Sequence, residues 1–295
     1  MKQTLKRLTA ALLAVLMLAG CGAGASSAVS APEAEPTPSP TPYVDMTGLP
    51  PLDSVEELAD LLPADFGVLE EEYPTEYSTY KILEGDEWEN TVHVLKGAED
   101  GPSLYIVGGV HGDELAGWYA GTLLKKMTIK AGTVYIVAPA NLYGAENNKR
   151  RTKEDRDLNR NFPGDPEGWD AERIGNAIYT DILDKGPVFV LDLHEGVYHD
   201  NDGHDNLGNS IICGDIAAIG DLVFHLIGMS QDGSLTTQPL DIYSAPPKGS
   251  LNQALTDNTD IPAITVETFR AEPLAARVRG QLRLAEQVLM WYDIR

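Results

Sequence analysis

From about residue 50 onward, short apolar runs take turns with longer segments whose apolar residues recur at helical spacing. The runs Ser78–Leu83, Asn90–Leu95, Ser103–Val110, Thr133–Ala138, Val188–Leu193, Asn209–Cys213 and Ala263–Phe269 predict strands. Helical patterns fall near Glu114–Met127, Asp170–Asp184, Ile216–Ser230 and Leu274–Trp291. The runs starting at 103, 133, 188 and 263 are almost continuously apolar, as strands covered on both faces are. Strands alternating with helices predict an α/β fold with a mixed central sheet, helices on both faces and a single domain. Ligands in such sheets bind outside the carboxyl ends of the strands, which directs attention to the residues that end the apolar runs. No fixed period runs through the chain, which excludes solenoids and propellers.

The first 50 residues follow another pattern. Lys2, Lys6 and Arg7 precede a short apolar stretch, Ala10 to Leu18, too brief for a comfortable membrane span. It ends in Leu18-Ala19-Gly20-Cys21, which resembles the lipobox of bacterial lipoproteins. That resemblance implies a signal peptide over residues 1–20, lipidation of Cys21, export and anchoring on the outer face of a bacterial membrane. Residues 22 to about 44 are mostly Ala, Ser, Pro, Thr and Glu, and Pro36-Thr37-Pro38-Ser39-Pro40-Thr41-Pro42 favours an extended polyproline tether. The expected division is therefore leader 1–20, lipidated cysteine and tether 21–50, and one folded domain 51–295. With Cys21 lipidated, Cys213 has no partner for a disulfide, so stability must come from an ordinary core. A formal charge of −23 speaks against nucleic acid as a partner, which needs a basic face.

Candidate chemistry lies at the ends of the apolar runs. His111 and Glu114 stand in Gly-Gly-Val-His-Gly-Asp-Glu, and His194 in Leu-Asp-Leu-His-Glu-Gly. Gly109 and Gly112 give the backbone room to turn, and Glu114 would open the next helix, so His111 and Glu114 can converge. Two imidazoles and a carboxylate with an open fourth position are the donor set of a hydrolytic zinc site. A lone His-x-x-Glu is as often a surface turn; here it coincides with a second histidine at a strand end. Glu267 ends the run Ala263–Phe269, where a buried carboxylate costs desolvation unless it has a partner or a task. Arg150, Arg151, Asn159 and Arg160 gather carboxylate-binding forks in one loop of an acidic protein. The polar stretch 198–205 would be either a solvated loop or a second metal site, the former being the ordinary outcome. His93 and His225 read as structural.

The set His-x-x-Glu, Asp157-Leu158-Asn159-Arg160-Asn161-Phe162, strand-borne His194 and late strand Glu267 is similar to the zinc carboxypeptidase superfamily, including its succinylglutamate desuccinylase and aspartoacylase branch. The resemblance covers about residues 103 to 270, with motifs in order. It implies one Zn2+ per chain held by His111, Glu114 and His194, with Asp157 orienting a ligand histidine. Glu267 would be the general base, and Asn159 with Arg160 the substrate-carboxylate clamp. Arg150 and Arg151 are both candidates for the oxyanion arginine. The segment Asp241 to Leu251 resembles the peptidase branch's mobile-tyrosine segment, making Tyr243 a catalytic candidate or a packed loop tyrosine, and Leu251 a side-chain pocket residue. His194-Glu195-Gly196 departs from the Ser-Tyr that follows the histidine in digestive carboxypeptidases. The expectation is hydrolysis of an amide near a free carboxylate by an extracytoplasmic carboxypeptidase acting on peptides or wall stem peptides. The alternatives are an N-acyl amino acid deacylase or an inactive ligand-binding lipoprotein.

Overall fold

The computed structural model describes residues 48–295 apart from 51, 53, 55 and 198–206. The lipobox, residues 22–47 of the tether and the whole ligand-rich 198–205 stretch lie outside the described residues. Those described belong to one compact unit, and among them no helix is long and apolar enough to cross a membrane.

Eight strands form one mixed sheet: β1 (Thr75–Ile82), β2 (Asn90–Gly97), β3 (Glu99–Gly108), β4 (Ala131–Val137), β5 (Phe189–Gly196), β6 (Ser210–Cys213), β7 (Asp241–Tyr243) and β8 (Ala263–Phe269), in the order β1-β2-β4-β3-β5-β8-β6-β7. The central strands β4, β3, β5 and β8 run parallel. The flanks are antiparallel where β2 joins β4 and where β6 joins β8. Parallel strands need crossovers, and the helices between strands supply them: α1 (Leu115–Leu124), α2 (Leu142–Asn147), α3 (Asp170–Lys185), α4 (Ile216–Ser230) and α5 (Leu251–Asn258), while α6 (Leu274–Trp291) follows the last strand.

The continuous apolar runs split cleanly by parity. Leu104 and Ile106 of β3, Leu191 and Leu193 of β5, and Ile264 and Val266 of β8 pack with Trp118 of α1, Leu226 of α4 and Leu282 of α6. Tyr105 and Val107, Val190, and Ala263 face Ile178 of α3 and Leu255 of α5. Successive side chains point to opposite faces, so both faces of the inner strands are dry. Each such Leu or Ile, fully buried, contributes about 1.5–3 kcal/mol relative to exposure. The same parity governs polar residues. Asp192 and His194 follow Val190, and Thr265 and Glu267 follow Ala263, so all four lie on the α3/α5 face.

Two short helices and one strand have no periodicity that sequence patterns would reveal. Helix α2 starts at Asn141, whose Oδ1 accepts the Gly144 N–H at 2.9 Å, and α5 starts at Ser250, whose Oγ accepts the Gln253 N–H at 3.1 Å. Caps and packing, rather than length, hold these segments. Strand β7 has three residues and sits at the sheet edge.

Candidate active site

The carboxyl ends of β3, β5 and β8 meet in a cleft of about 210 Å³ lined by His111, Glu114, Arg150, Arg160, His194 and Glu267, among others. After β3 the chain turns at Gly109, whose φ of +72° is the left-handed region that favours glycine. A Cβ on Gly112 would stand 1.9 Å from the Gly144 carbonyl carbon, so only glycine lets this turn press against α2. The turn leaves His111 on one side and Glu114 at the N-cap of α1.

His111, Glu114 and His194 are all buried, and their donor atoms lie within 4.8 Å of one another. Nδ1 of His111 is 2.7 Å from Glu114 Oε1, and Nδ1 of His194 is 2.8 Å from Glu114 Oε2. Both imidazoles thus present the same nitrogen to the same carboxylate. The other nitrogens are held from behind: His111 Nε2 lies 3.0 Å from Asp157 Oδ1, and His194 Nε2 lies 3.1 Å from Asp192 Oδ2. Carboxylates on the outer nitrogens fix ring orientation and leave each Nδ1 as the inward-facing donor. Two such donors and a buried carboxylate fit a zinc ion by chemistry and by spacing.

The electrostatics follow from crowding charges in a dry place. Burial raises the Glu114 pKa, but His111 and His194 outweigh it and hold the carboxyl well below its usual range. Burial lowers the His194 pKa, and Asp192 and Glu114 more than reverse this, leaving it well above the usual imidazole value. Burial also raises Asp157, yet His111, Arg150 and Arg160 keep it below the ordinary carboxylate range. Glu267 is the exception. Burial pushes it up to about 8, with Glu114 and Asp192 adding to the shift and His194 and Arg150 opposing it. Glu267 pairs directly with His194 in the parallel register of β5 and β8, so it stands beside the donor set on the same face. A carboxyl with this raised proton affinity, beside a metal-type donor set, is suited to moving a proton.

Arg150 and Arg151 have different surroundings. Arg150 Nη1 donates to Glu114 Oε1 at 3.0 Å, and its Nη2 lies 3.5 Å from Asp157 Oδ2. Arg151 points out of the cleft and pairs with Asp155 at 3.4 Å. The loop that carries them is tied to the start of α3, where Asp170 accepts from Thr152 Oγ1 at 2.7 Å and from the Glu154 N–H at 2.8 Å. Asn159 and Arg160 both line the cleft; Asn159 is buried, and its Oδ1 accepts the Leu251 N–H at 3.2 Å. Arg160 is exposed, with Nη1 donating to the Asn159 carbonyl at 2.7 Å.

Tyr243 ends β7 opposite Ile212 and is not among the residues lining the cleft. Leu251, expected in a side-chain pocket, is instead wholly buried in the core between the sheet, α3 and α5. As the first residue of α5 it turns its apolar side chain inward, and only its backbone reaches the cleft through Asn159. Sequence reasoning missed Asp192, although an acid two residues before a strand-borne histidine must share its face. It also missed Glu195, Arg277 and Gln281, which sit behind the site.

Residues 100–200 match the model of the succinylglutamate desuccinylase/aspartoacylase catalytic domain. An N-alpha-acetyl-L-2,4-diaminobutyric acid deacetylase of Halomonas elongata is 38% identical over 112 residues, which are 36% of this chain and 31% of that protein. The chain therefore spans about a third of the length of that relative. Among solved structures, a succinylglutamate desuccinylase/aspartoacylase from Rhodobacter sphaeroides superposes with a TM-score of 0.56 at 18% identity, covering 77% of this chain and 67% of that one. The D,L-carboxypeptidase Csd4 of Helicobacter pylori, in its mDAP-bound form, gives 0.56 at 20% identity over 66% of this chain and 52% of its own. The chain shares its fold with these solved structures, and residues 100–200 are similar to the succinylglutamate desuccinylase/aspartoacylase catalytic domain.

Proposed function

We propose that this protein is a zinc-dependent hydrolase that cleaves an amide bond beside a free carboxylate. The observation that carries the reading is the single cleft in which His111, Glu114 and His194 converge while Glu267, Arg150 and Arg160 line the same walls. His111, Glu114 and His194 would hold the ion, which when bound supplies a water acidified toward neutrality and polarises the scissile carbonyl. Glu267 takes a proton from the attacking water and returns it to the leaving nitrogen. Arg150 presents its guanidinium to the oxygen on which negative charge develops. Arg160, with Asn159, holds the substrate carboxylate and so selects which amide is presented.

Within that class we favour an N-acyl amino acid deacylase. The match over residues 100–200 and the Halomonas elongata relative both support it. In the segment that resembles the peptidase branch, neither Tyr243 nor Leu251 lines the cleft. A carboxypeptidase acting on peptides or wall stem peptides is the second reading, supported by the likeness to Csd4 and by the lipobox-like sequence ending in Cys21. We further propose that the protein is exported and held at the outer face of a membrane by lipid on Cys21. Labelling with a fatty-acid analogue, compared between parent and Cys21→Ser, tests the anchor; equal labelling would exclude it.

Mass spectrometry of N-acyl amino acids, ordinary peptides and wall stem peptides incubated with the zinc-loaded protein tests the substrate class. Release of free amino acid from N-acyl substrates alone supports the deacylase, and loss of C-terminal residues supports the peptidase. In Glu267→Gln, turnover should fall by about 10²–10⁴-fold while zinc stays bound. Parent-like turnover in that variant would remove Glu267 from the mechanism.

A further inference from the structure

Strand β5 delivers two consecutive side chains to opposite faces of the sheet. His194 turns toward the cleft, and Glu195 turns toward the layer of α1 and α6, where it is 3% exposed. Both oxygens of the Glu195 carboxylate have partners. Oε2 accepts the Ala116 N–H at 3.0 Å, and Oε1 pairs with the guanidinium of Arg277 on α6. The Glu195 N–H in turn donates to Glu114 Oε2 at 3.1 Å.

Helix α1 explains the arrangement. The first amides of a helix lack acceptors within it, and the N-cap side chain usually supplies one. Glu114 is the N-cap of α1, but it makes no side-chain cap, because its carboxylate faces His111 and His194. One carboxylate cannot serve both ends. Ala116 is wholly buried, so its N–H would otherwise lack a partner and have no water to turn to. Glu195 fills that place from the neighbouring strand, with its negative charge at the positive end of the helix.

We propose that Glu195 is a positioning residue that caps α1 in place of Glu114, which leaves the Glu114 carboxylate to hold the metal. The exchange is reciprocal: Glu195 accepts from the first turn of α1 and donates its own amide to Glu114. Helix α6 braces it. Arg277 fixes Glu195, and Gln281, one turn further on, donates to the His194 carbonyl at 2.8 Å and to Thr268 Oγ1 at 2.9 Å. One face of α6 thus holds the ends of β5 and β8 from behind while the ligands face forward. This inference rests on the reading of His111, Glu114 and His194 as a zinc site.

Removing Glu195 alone would strand the largely buried charge of Arg277, so the test uses two double variants of equal charge. In E195Q/R277M the amide carbonyl still accepts the Ala116 N–H; in E195A/R277M nothing does. Zinc affinity is measured by chelator competition on the full chain, under conditions where circular dichroism shows each variant folded. E195Q/R277M should bind zinc within about threefold of the parent, and E195A/R277M about 10- to 100-fold more weakly. Equal affinity in the two variants would overturn the inference while the zinc reading stands. A parent that binds no zinc would overturn both. Should the variants not fold, amide exchange on the parent decides: the Ala116 N–H should be protected like the interior amides of α1, and free exchange there rules out the cap.

Discussion

Two histidines on this sheet, His93 half-buried and His194 fully buried, differ in the sign of the charge around them. His93 lies on β2 in the antiparallel flank, with Nδ1 2.6 Å from the Tyr77 hydroxyl. Burial, then Lys125 and Lys81, lower its pKa to about 4. His194 lies on β5 in the parallel centre, and burial lowers its pKa as well, but Asp192 and Glu114 carry it well above the usual value. The residue, the sheet and the direction of the desolvation effect are the same. The neighbours differ: two lysines near one ring, two carboxylates against the other. A cation is repelled at His93 and welcomed at His194. Burial alone therefore identifies neither; the sign of the surrounding charge does.

The sharpest way to break the comparison is to remove one histidine of each kind. His194→Ala deletes a donor and leaves Glu114 and Asp192 buried without their shared cation, so zinc affinity should fall more than about 100-fold, beyond the loss typical of an outer partner. His93→Gln should leave zinc affinity within about twofold. Calorimetric titration of both proteins checks this, and a comparable loss in His93→Gln would end the distinction.

The next contrast separates two arginines adjacent in sequence. Arg150 reaches Glu114 and Asp157 at the cleft, and Arg151 pairs with Asp155 outside it. On the proposed mechanism, in which Arg150 meets the developing oxyanion, Arg150→Ala should lower kcat by about 10²–10³-fold. Arg151→Ala should change kcat less than about twofold, as expected of an exposed pair. Steady-state kinetics on the substrate found by mass spectrometry decides the matter; equal effects would show that the loop, rather than Arg150, carries the function.

A smaller effect belongs to the outer nitrogens. Asp157→Asn keeps size and removes charge from the partner of His111 Nε2, so zinc should bind about 10- to 100-fold more weakly with the fold intact. Unchanged affinity there would mean that the ring is oriented by packing alone.

Much of this was legible in the sequence. The apolar runs at 103, 133, 188 and 263 became the four parallel strands, because continuous apolarity follows directly from burial on two faces. His111, Glu114, His194 and Glu267 could be placed because strand ends are marked by where apolarity stops. What was not legible depended on contacts between elements distant in the chain. No local pattern says that Arg150 turns inward and Arg151 outward; Asp170, nearly twenty residues away, anchors their loop. Leu251 looked like a pocket residue because its segment resembles one, yet a leucine opening a helix against the core is drawn inward. Glu195 and Arg277 are 82 residues apart, and only the fold brings them together.

The subtlest prediction concerns pH, and it sharpens the difference between the histidines at the weaker one. Between about 4 and its ordinary 6.5, the His93 imidazole is neutral in the folded protein and takes up a proton on unfolding. Where the unfolded state binds more protons, stability rises with pH. His93 therefore contributes stability above pH 6.5 that is lost progressively as pH falls toward 4. Glutamine at this position cannot take up the proton, so the gap between parent and His93→Gln should shift against the parent across that window. Because the ring is only partly shielded from solvent, the shift should be on the order of 1 kcal/mol rather than the full value for a dry site. Urea unfolding of the two proteins at pH 7, 6, 5 and 4.5 reads it directly. A gap that stays constant with pH would mean that His93 titrates as freely folded as unfolded, and that Lys81 and Lys125 do not set its charge.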